Sequence, residues 1–455
     1  MLDDAVLATG LHASPQVATD LHARLTTFLF PFLVVLDDHL DRRLVQTFVA
    51  TLAAILRWRN RPHGLLLSEL GGYLSSPSHA PAGTKRLSNL LRSPRWSASL
   101  IGHFLSQQAD ARLAALEAAG EGALAIWDES VLEKPESLVL EGLGVVRSSK
   151  AHRLTHIKPG FYDPPAKPIF VPGMQWIGVL VLGMSGPPTV AAMRWWTNRG
   201  IGASEERVEQ GKLFAQCVTA WGRRVLHVWD RGYAGKPWLL TALTAQVRFV
   251  LRWPGNYKLV DANGREHKAW EIARGVRSWD FRLLWDTHRH CEQRTGVVAM
   301  PVTHSASAQQ LWLVVARQGK GRDPCGCPQG GMLTSEPIRT VADAWRVVYA
   351  YRRRWHAAQR APETTWRYSK SELAMESPRV WTWERREKLL LMATLVYAFL
   401  LSLLDPALEP MRQWLRRHWC HRTGKRSRET ATPLYRLRSA LSRLWQENPP
   451  HPSRT

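Results

Sequence analysis

The chain has 455 residues and carries 61 Lys and Arg against 38 Asp and Glu, a formal net charge of +23. Its length is enough for two to four domains with a large core, and its five Cys form no zinc-binding pattern. So strong a positive charge favours a polyanionic partner, with nucleic acid first among the candidates. The alternative is a protein that is merely basic, such as one associated with ribosomes.

The N-terminal 120 residues have the apolar spacing of helices. The predicted helices are Val17–Phe30, Asp41–Arg59, Leu65–Tyr73 and Ser97–Ala119. Prolines are expected to separate them. These are Pro31, Pro62, Pro77 and Pro81.

A basic segment lies near the end of this helical region, at residues 84–96. Its Lys85, Arg86 and Arg92 surround a short apolar core. We therefore predict that residues 1–120 form a helical DNA-binding domain in which these three side chains contact DNA. The alternative is a helical bundle that only packs against the rest of the chain.

From residue 124 the pattern becomes that of an α/β protein. Two short apolar runs read as buried strands and end in an acid, Asp128 in the first and Asp230 in the second. Each acid has a purely structural interpretation as a strand-end or turn residue, and Glu129 and Glu133 compete with Asp128. Further strands are predicted at Trp176–Gly183, Thr189–Trp196 and Gln246–Trp253, with a helix at Glu205–Trp221.

The chain between the second Asp and the next candidate acid, Glu363, is too long for a single crossover. Strand-like runs recur there at 282–285, 295–302 and 311–316, before a Gly-, Pro- and Cys-rich loop at 319–331. A basic, aromatic helix is predicted from about residue 340. Glu363 and Lys370 are two helical turns apart on one face, an arrangement that suits binding of metal and a phosphodiester together.

The last part of the chain combines an apolar helix with a basic tail. Leu389–Leu404 is short for a membrane span and is predicted to be a buried helix. Between residues 411 and 455, eleven Lys and Arg oppose two Glu, a net of +9. We predict that residues 405–455 bind DNA or mediate dimerisation. The predicted DNA contacts are Arg416, Arg417, Lys425 and Arg426.

Six of these residues together resemble the DDE transposases of bacterial insertion sequences, in the group with the signature Tyr-x2-Arg-x3-Glu-x6-Lys. They are Asp128, Asp230, Tyr351, Arg354, Glu363 and Lys370. The first and last parts of the signature fit as written. The middle departs from it, because eight residues rather than three separate Arg354 from Glu363. The resemblance covers roughly residues 85–404.

The resemblance implies an α/β, RNase H-like catalytic domain with a β-rich insertion, flanked by helical N-terminal and C-terminal regions. In that fold three antiparallel strands lead, and later strands add in parallel through helical crossovers. The implied divisions are a helical DNA-binding domain, a first catalytic part, the insertion, a second catalytic part with the Glu-bearing helix, and the basic C-terminal region. Their bounds are 1–120, 121–253, 254–338, 339–404 and 405–455.

The family's chemistry uses two Mg²⁺ or Mn²⁺ ions, which activate the nucleophile and offset charge on the attacking and leaving oxygens. Carboxylate oxygens suit these ions, and three converging carboxylates repel one another unless cations lie among them. The resemblance implies that Asp128 bridges both ions while Asp230 and Glu363 hold one each. Arg354 and Lys370 would contact phosphate, and Tyr351 would bind a phosphate oxygen or brace the helix. Glu372 is the alternative to Glu363.

Pro362, directly before Glu363, predicts a break in the long helix at about residues 356–361. Tyr351 and Arg354 would then end one helical segment, and Glu363 would begin the next. If the helix instead ran on unbroken, the five additional residues would turn Glu363 away from the two Asp.

The sequence thus predicts a metal-dependent, cut-and-paste DNA transposase that acts at the terminal inverted repeats of an insertion sequence. The alternative is a non-catalytic DNA-binding protein, derived from such an enzyme, whose third carboxylate is displaced. The expected partner is double-stranded DNA, both transposon ends and target, bound by a homodimer, with no membrane association. The expected location is the bacterial cytoplasm, at the nucleoid.

Overall fold

The computed structural model describes residues 10–137, 139–150, 167–200, 203–286, 291–318, 331–356, 368–420 and 434–449. It is an α/β structure with one mixed sheet and helical regions towards both ends of the chain. The helices before the first strand are α1 (Ser14–Asp37), α2 (Arg42–Arg57), α3 (Leu67–Leu74), α4 (Ala80–Arg92) and α5 (Ala98–Ala118).

The predicted N-terminal helices are all present, but the expected break at Pro31 is wrong. Helix α1 continues through Pro31 to Asp37. A proline inside a helix removes one backbone hydrogen bond, at a cost of about 3 kcal/mol. Burial of apolar side chains before and after the proline, among them Leu29, Phe32 and Leu36, offsets that cost.

Twelve strands form the sheet that follows. They are β1 (Ala123–Glu133), β2 (Gly144–Arg147), β3 (Phe170–Leu182), β4 (Thr189–Trp196), β5 (Val225–Trp229), β6 (Arg248–Trp253), β7 (Lys258–Val260), β8 (Glu266–Lys268), β9 (Asp280–Asp286), β10 (Cys291–His304), β11 (Ser307–Gln318) and β12 (Gly331–Thr334). The helices between strands are α6 (Glu206–Trp221), α7 (Lys236–Thr244) and the single turn α8 (Ala269–Ala273).

The centre of the sheet has the strand pattern expected from the sequence. Strands β4, β3 and β1 are antiparallel neighbours. Strand β5 then pairs parallel with β1, and β6 pairs parallel with β5. Helix α6 precedes β5 and α7 joins β5 to β6, so helical connections bring these parallel strands together.

The strands of residues 254–338 continue this sheet at the β6 edge. Strand β12 pairs antiparallel with β6, and the order then runs β11, β10, β7 and β8, with β9 on the flank of β10. The β-rich character predicted for this segment is therefore present. The domain boundaries drawn around it remain predictions.

After the sheet, the described residues form helix α9 (Val341–His356) and then three further helices. They are α10 (Trp383–Ser402), α11 (Glu409–His418) and α12 (Leu434–Glu447). Every residue from Leu389 to Leu401 in α10 is buried, as predicted for a core helix.

Two described segments have the length and apolar composition of a membrane span. One is the helical stretch Gly10–Asp37, and the other is α10 taken together with Pro406–His418, across a bend of 78°. Buried core helices of soluble proteins share these properties. The absence of membrane association stays a prediction.

Helices α3 and α4 touch through two glycines. A Cβ atom on Gly83 would overlap the carbonyl oxygen of Gly71, and one on Gly71 would lie 2.5 Å from the backbone nitrogen of Thr84. The Thr84 hydroxyl also donates to the Leu67 carbonyl oxygen, at 3.1 Å. Only residues without side chains allow this approach, so the two helices form one fixed unit.

We predict that Gly83→Ala lowers the free energy of unfolding by about 1–3 kcal/mol, since the added methyl group forces the two backbones apart. Denaturant unfolding followed by circular dichroism measures this change. Gly102→Ala in α5 is the control, because a Cβ there meets no atom within 4 Å. That substitution should raise helix propensity and add up to about 1 kcal/mol. Equal effects at the two glycines would contradict the tight contact.

Candidate active site

The pairing of β1 with β5 places two acids side by side. In this parallel pair Ala125 lies opposite His227 and Ile126 opposite Val228. The same offset continued by two residues sets Asp128 opposite Asp230. Side chains two residues apart point to the same face of a strand, and neighbouring strands are about 4.8 Å apart. The two carboxylates therefore lie beside each other, Asp230 directly after β5 and Asp128 in the middle of β1. The expectation that Asp128 ends its strand is wrong, because pairing with β3 continues β1 to Glu133.

Arg354 of α9 lies between these carboxylates. Its Nη2 is 2.9 Å from Asp128 Oδ1 and 3.7 Å from Asp230 Oδ2, with only 5% of its side chain exposed. Burial alone would lower the pKa of Arg354, but the charges of Asp128, Tyr351 and Asp230 outweigh it and raise the pKa above its usual value. The guanidinium predicted to bind phosphate thus pairs with both Asp carboxylates in this structure and offsets part of their negative charge.

Two further residues of the signature border the same site. The ring of Tyr351 contacts the guanidinium groups of Arg354 and Arg252, at 5.9 and 5.7 Å. Lys370, in the helical segment 368–371, donates from Nζ to Ser130 Oγ at 2.6 Å. Because Ser130 follows Asp128 by two residues, Lys370 lies on the site's face of β1. Burial lowers the pKa of Lys370 below its usual value.

The third predicted acid, Glu363, lies outside the described residues, so its position relative to the Asp pair stays a prediction. Helix α9 carries Tyr351 and Arg354 in its last two turns and is described to His356. The alternative acid, Glu372, has another role. It is buried and accepts hydrogen bonds from Arg59, at 2.7 Å, and from Arg61. Both of its oxygens are occupied by guanidinium groups of the N-terminal helical region.

Glu133, a competitor of Asp128 in the sequence, is also fully engaged. Its carboxylate accepts from the hydroxyl of Ser148 and from the backbone and hydroxyl of Ser149, each at 2.8 Å. It accepts from the Lys150 backbone nitrogen as well, at 3.2 Å. Burial works against the charged carboxylate, but these hydrogen bonds prevail and lower the pKa of Glu133. The residue anchors the loop after β2.

Glu129 points to the opposite face of β1 and holds the turn that carries Asp230. The Tyr233 hydroxyl donates to Glu129 Oε1 at 2.6 Å, and the Gln210 amide donates to the same oxygen. Arg207 donates to the Gly232 carbonyl oxygen at 3.1 Å, while Gly232 N donates to Asp230 Oδ1 at 2.7 Å. Burial raises the pKa of Glu129 to about 7. These contacts fix the Asp230 turn against β1 and α6.

An aromatic cluster supports the two Asp-bearing strands from that opposite face. It comprises Trp127, Phe214, His227, Trp229, Tyr233 and Trp238, with ring centroids 5–6.5 Å apart. Trp127 Nε1 donates to His227 Nδ1 at 3.0 Å, which places the remaining imidazole proton on Nε2. Aromatic burial on one face therefore makes rigid the strand segments that present the acids on the other.

The other predicted DNA contacts lie away from the Asp pair along the chain. Lys85, Arg86 and Arg92 are exposed on α4. Arg416 is half-buried and Arg417 is exposed in α11. Lys425 and Arg426 fall outside the described part of the chain. The contacts of these residues with DNA stay predictions.

The sequence interpretation missed the positioning roles of Tyr233, Gln210 and Arg207. It also overlooked a local signal, since both acids close the pattern Ile-Trp-Asp or Val-Trp-Asp, at 126–128 and 228–230. A repeated aromatic residue before each acid indicates that the two strands share one register and one core.

The donor chemistry of the site suits a hard divalent cation, because Asp128 and Asp230 offer carboxylate oxygens on one face. Among the residues that the structure describes, no group of three or more His, Cys, Asp or Glu could hold a metal. A third carboxylate ligand would have to come from outside the described residues, where the predicted ligand Glu363 lies. Arg354 would have to share the carboxylates with the cation or release them.

No family model and no curated protein matches the chain. Among solved structures it is similar to the cryo-EM structure of the piggyBac transposase synaptic complex with hairpin DNA, at a TM-score of 0.36 and 11% sequence identity. The alignment covers 96% of this chain and 85% of that one. A similarity this low assigns neither a fold nor an activity to this protein.

We predict that Tyr233→Phe lowers the free energy of unfolding by about 1–3 kcal/mol, because the buried Glu129 carboxylate loses a donor. Tyr257→Phe is a matched control at an exposed ring and should change stability by less than about 0.5 kcal/mol. In a Glu129→Gln background the cost of Tyr233→Phe should shrink. Denaturant titrations of the wild type, the two single variants Tyr233→Phe and Glu129→Gln, and the double variant measure the coupling between the two side chains. Additive effects would exclude that coupling.

We also predict that the stability of the protein falls in acid because of His227. Burial lowers the pKa of this residue from 6.5 to about 3. Below pH 6.5, His227 binds a proton in the unfolded chain, whereas in the folded protein it stays neutral until about pH 3. The stability from this group is present above pH 6.5 and is lost as the pH falls towards 3, by about 2 kcal/mol at pH 5. His227→Asn keeps an acceptor near Nδ1 but cannot titrate, so denaturant midpoints at pH 7 and 5 should differ less. An equal loss in both proteins would rule out His227 as its source.

Proposed function

We propose that this protein is a metal-dependent DNA transposase with an RNase H-like catalytic domain, which cuts at the terminal inverted repeats of an insertion sequence and joins the ends to target DNA. The observation that carries the proposal is the side-by-side placement of Asp128 and Asp230 by the parallel pairing of β1 and β5. The signature residues Tyr351, Arg354 and Lys370 border the same face.

Each residue has a role that its surroundings support. Asp128 and Asp230 offer the oxygens that would hold Mg²⁺ or Mn²⁺, and Glu363 would complete the set. The bound ions would supply charge neutralisation for phosphodiester hydrolysis and strand transfer. Arg354 has the planar donor geometry for a phosphate, and its two Asp partners hold it beside them at the C-terminal end of α9. Lys370, tethered to Ser130, adds a point charge beside Asp128.

The surrounding charge supports DNA as the substrate. The chain carries +23 overall, and its exposed cations in α4 and α11 lie in the two helical regions that flank the sheet. Two transposon ends must be held in one complex, so the proposal includes a homodimer on DNA. The bacterial, nucleoid-associated location belongs to the same proposal.

The alternative of a non-catalytic DNA-binding protein has one observation in its favour. Arg354 already offsets part of the negative charge of the Asp pair from a buried position, which lowers the repulsion between the two carboxylates without a bound cation. The two functions make opposite predictions for cleavage and the same prediction for binding, which allows one experiment to separate them.

We predict that Asp128→Asn reduces Mg²⁺-dependent cleavage by about 100-fold or more while leaving DNA binding largely intact. The amide keeps the side chain's shape but loses the charge that a cation needs, and binding depends on Lys and Arg contacts to phosphate. The substrate is a DNA fragment with the inverted repeats that flank the gene, and gel shift and cleavage are measured on the same samples.

Asp37→Asn, at the exposed end of α1, is the control and should cleave normally. Glu363→Gln tests the third ligand in the same assay and should also abolish cleavage. Wild-type protein that binds the repeats but does not cut them with Mg²⁺ or Mn²⁺ would favour the non-catalytic alternative. Normal cleavage by Asp128→Asn would exclude Asp128 as a metal ligand.

A further inference from the structure

The N-terminal region contains a helix-turn-helix arrangement whose second helix has one face free. Helix α3 and helix α4 are joined by residues 75–79, which include a short 3₁₀ turn at Pro77–His79. Their glycine contact fixes one helix against the other, and α2 packs against both. Such a pair is the unit with which many proteins present a helix to DNA.

The C-terminal end of α4 is also held firmly. Trp96 Nε1 donates to the Leu90 carbonyl oxygen at 2.8 Å. The buried Lys388 ammonium of α10 donates to the carbonyl oxygens of Leu91 and Ser93, at 3.3 and 3.0 Å. Both ends of α4 are therefore anchored, and its orientation is set by the core rather than by a ligand.

The two faces of α4 differ sharply in chemistry. Gly83, Leu87, Leu90 and Leu91 are buried. The opposite face is exposed and polar, and the helix contains three cations and no acid. The residues of that face are Lys85, Arg86, Asn89 and Arg92. Within the described part of the chain, none of these four side chains makes a hydrogen bond or an ion pair.

A cleft runs along the edge of this face, between α4 and the start of α3. Its volume is about 510 Å³, and residues of both helices line it, with Ala80 and Pro81 among the apolar ones. The polar residues along the cleft are Ser68, Thr84, Lys85, Ser88, Asn89 and Arg92. A 13-residue helix is about 20 Å long and fits the major groove of DNA, which is about 12 Å wide.

From these observations we propose that α4 is a recognition helix that lies in the major groove of double-stranded DNA and reads its sequence through Asn89 and Arg92. Asn pairs in bidentate fashion with adenine, and Arg with guanine. Lys85 and Arg86, one turn earlier on the same face, contact phosphates and set the position of the helix. The proposal rests on the proposed function only in taking DNA as the partner, and it does not depend on cleavage.

The test is selection of preferred sequences from a pool of random DNA duplexes by the full-length protein in EDTA, where no metal-dependent cutting occurs. Wild-type protein should enrich one sequence motif. Asn89→Ala and Arg92→Ala should each lose the preference at one or two base pairs and bind the wild-type motif about 5- to 150-fold more weakly. Lys85→Ala should weaken binding to all sequences and lower the slope of log affinity against log salt by about 1.

Arg43→Ala is the matched control, because Arg43 is an exposed cation of α2 in the same region. It should retain the wild-type motif. An unchanged motif and affinity in Asn89→Ala and Arg92→Ala would overturn the proposal, as would enrichment of no motif by the wild-type protein. Circular dichroism spectra identical to wild type exclude misfolding of these surface variants as the cause.

The outcome is separable from that for the catalytic site. If α4 reads DNA but no variant or wild-type protein cuts it, the non-catalytic function holds together with this proposal. If Asp128→Asn abolishes cleavage while the α4 variants keep their sequence preference, the transposase function stands and the recognition helix lies elsewhere.

Discussion

The site depends on the parallel pairing of β1 with β5. Because the two strands run in the same direction with one fixed offset, Asp128 within β1 and Asp230 directly after β5 fall beside each other, on the same face. Two carboxylates so close repel each other and require a positive charge between them. Arg354 supplies that charge from a side chain that is only 5% exposed, which makes α9 part of the site. A slip of one residue in either strand would turn its acid into the aromatic core.

The two faces of these strands have different roles, one packing in the core and the other carrying the charged site. Trp127 and Trp229, one residue before each acid, anchor the two strands in an aromatic cluster, while Glu129 and Tyr233 hold the turn that carries Asp230. The site's face, in contrast, is built from residues distant in sequence. Burial on one side therefore pre-organises charge on the other.

The N-terminal helical region is connected to the site by charge. Glu372, two residues after Lys370, accepts hydrogen bonds from Arg59 and Arg61 in the chain after α2. Lys388 of α10 extends this connection to the end of α4. Helix α4 and a lysine beside the Asp pair are thus fixed to one framework, in which ion pairs with buried partners cost several kcal/mol to break.

The sequence by itself determined the helical N-terminal region, the presence of the strands next to Asp128 and Asp230, and the buried helix α10, because apolar periodicity reports which face of an element is covered. It did not determine the continuation of α1 through Pro31, where packing on both sides outweighs a local break. Nor could it show that β12 joins β6, that Glu372 is occupied by two arginines, or that Arg354 bridges the Asp pair. Those features are contacts between residues 80 to more than 300 positions apart, and only tertiary structure decides them, since no local pattern encodes which distant charges and strand edges meet.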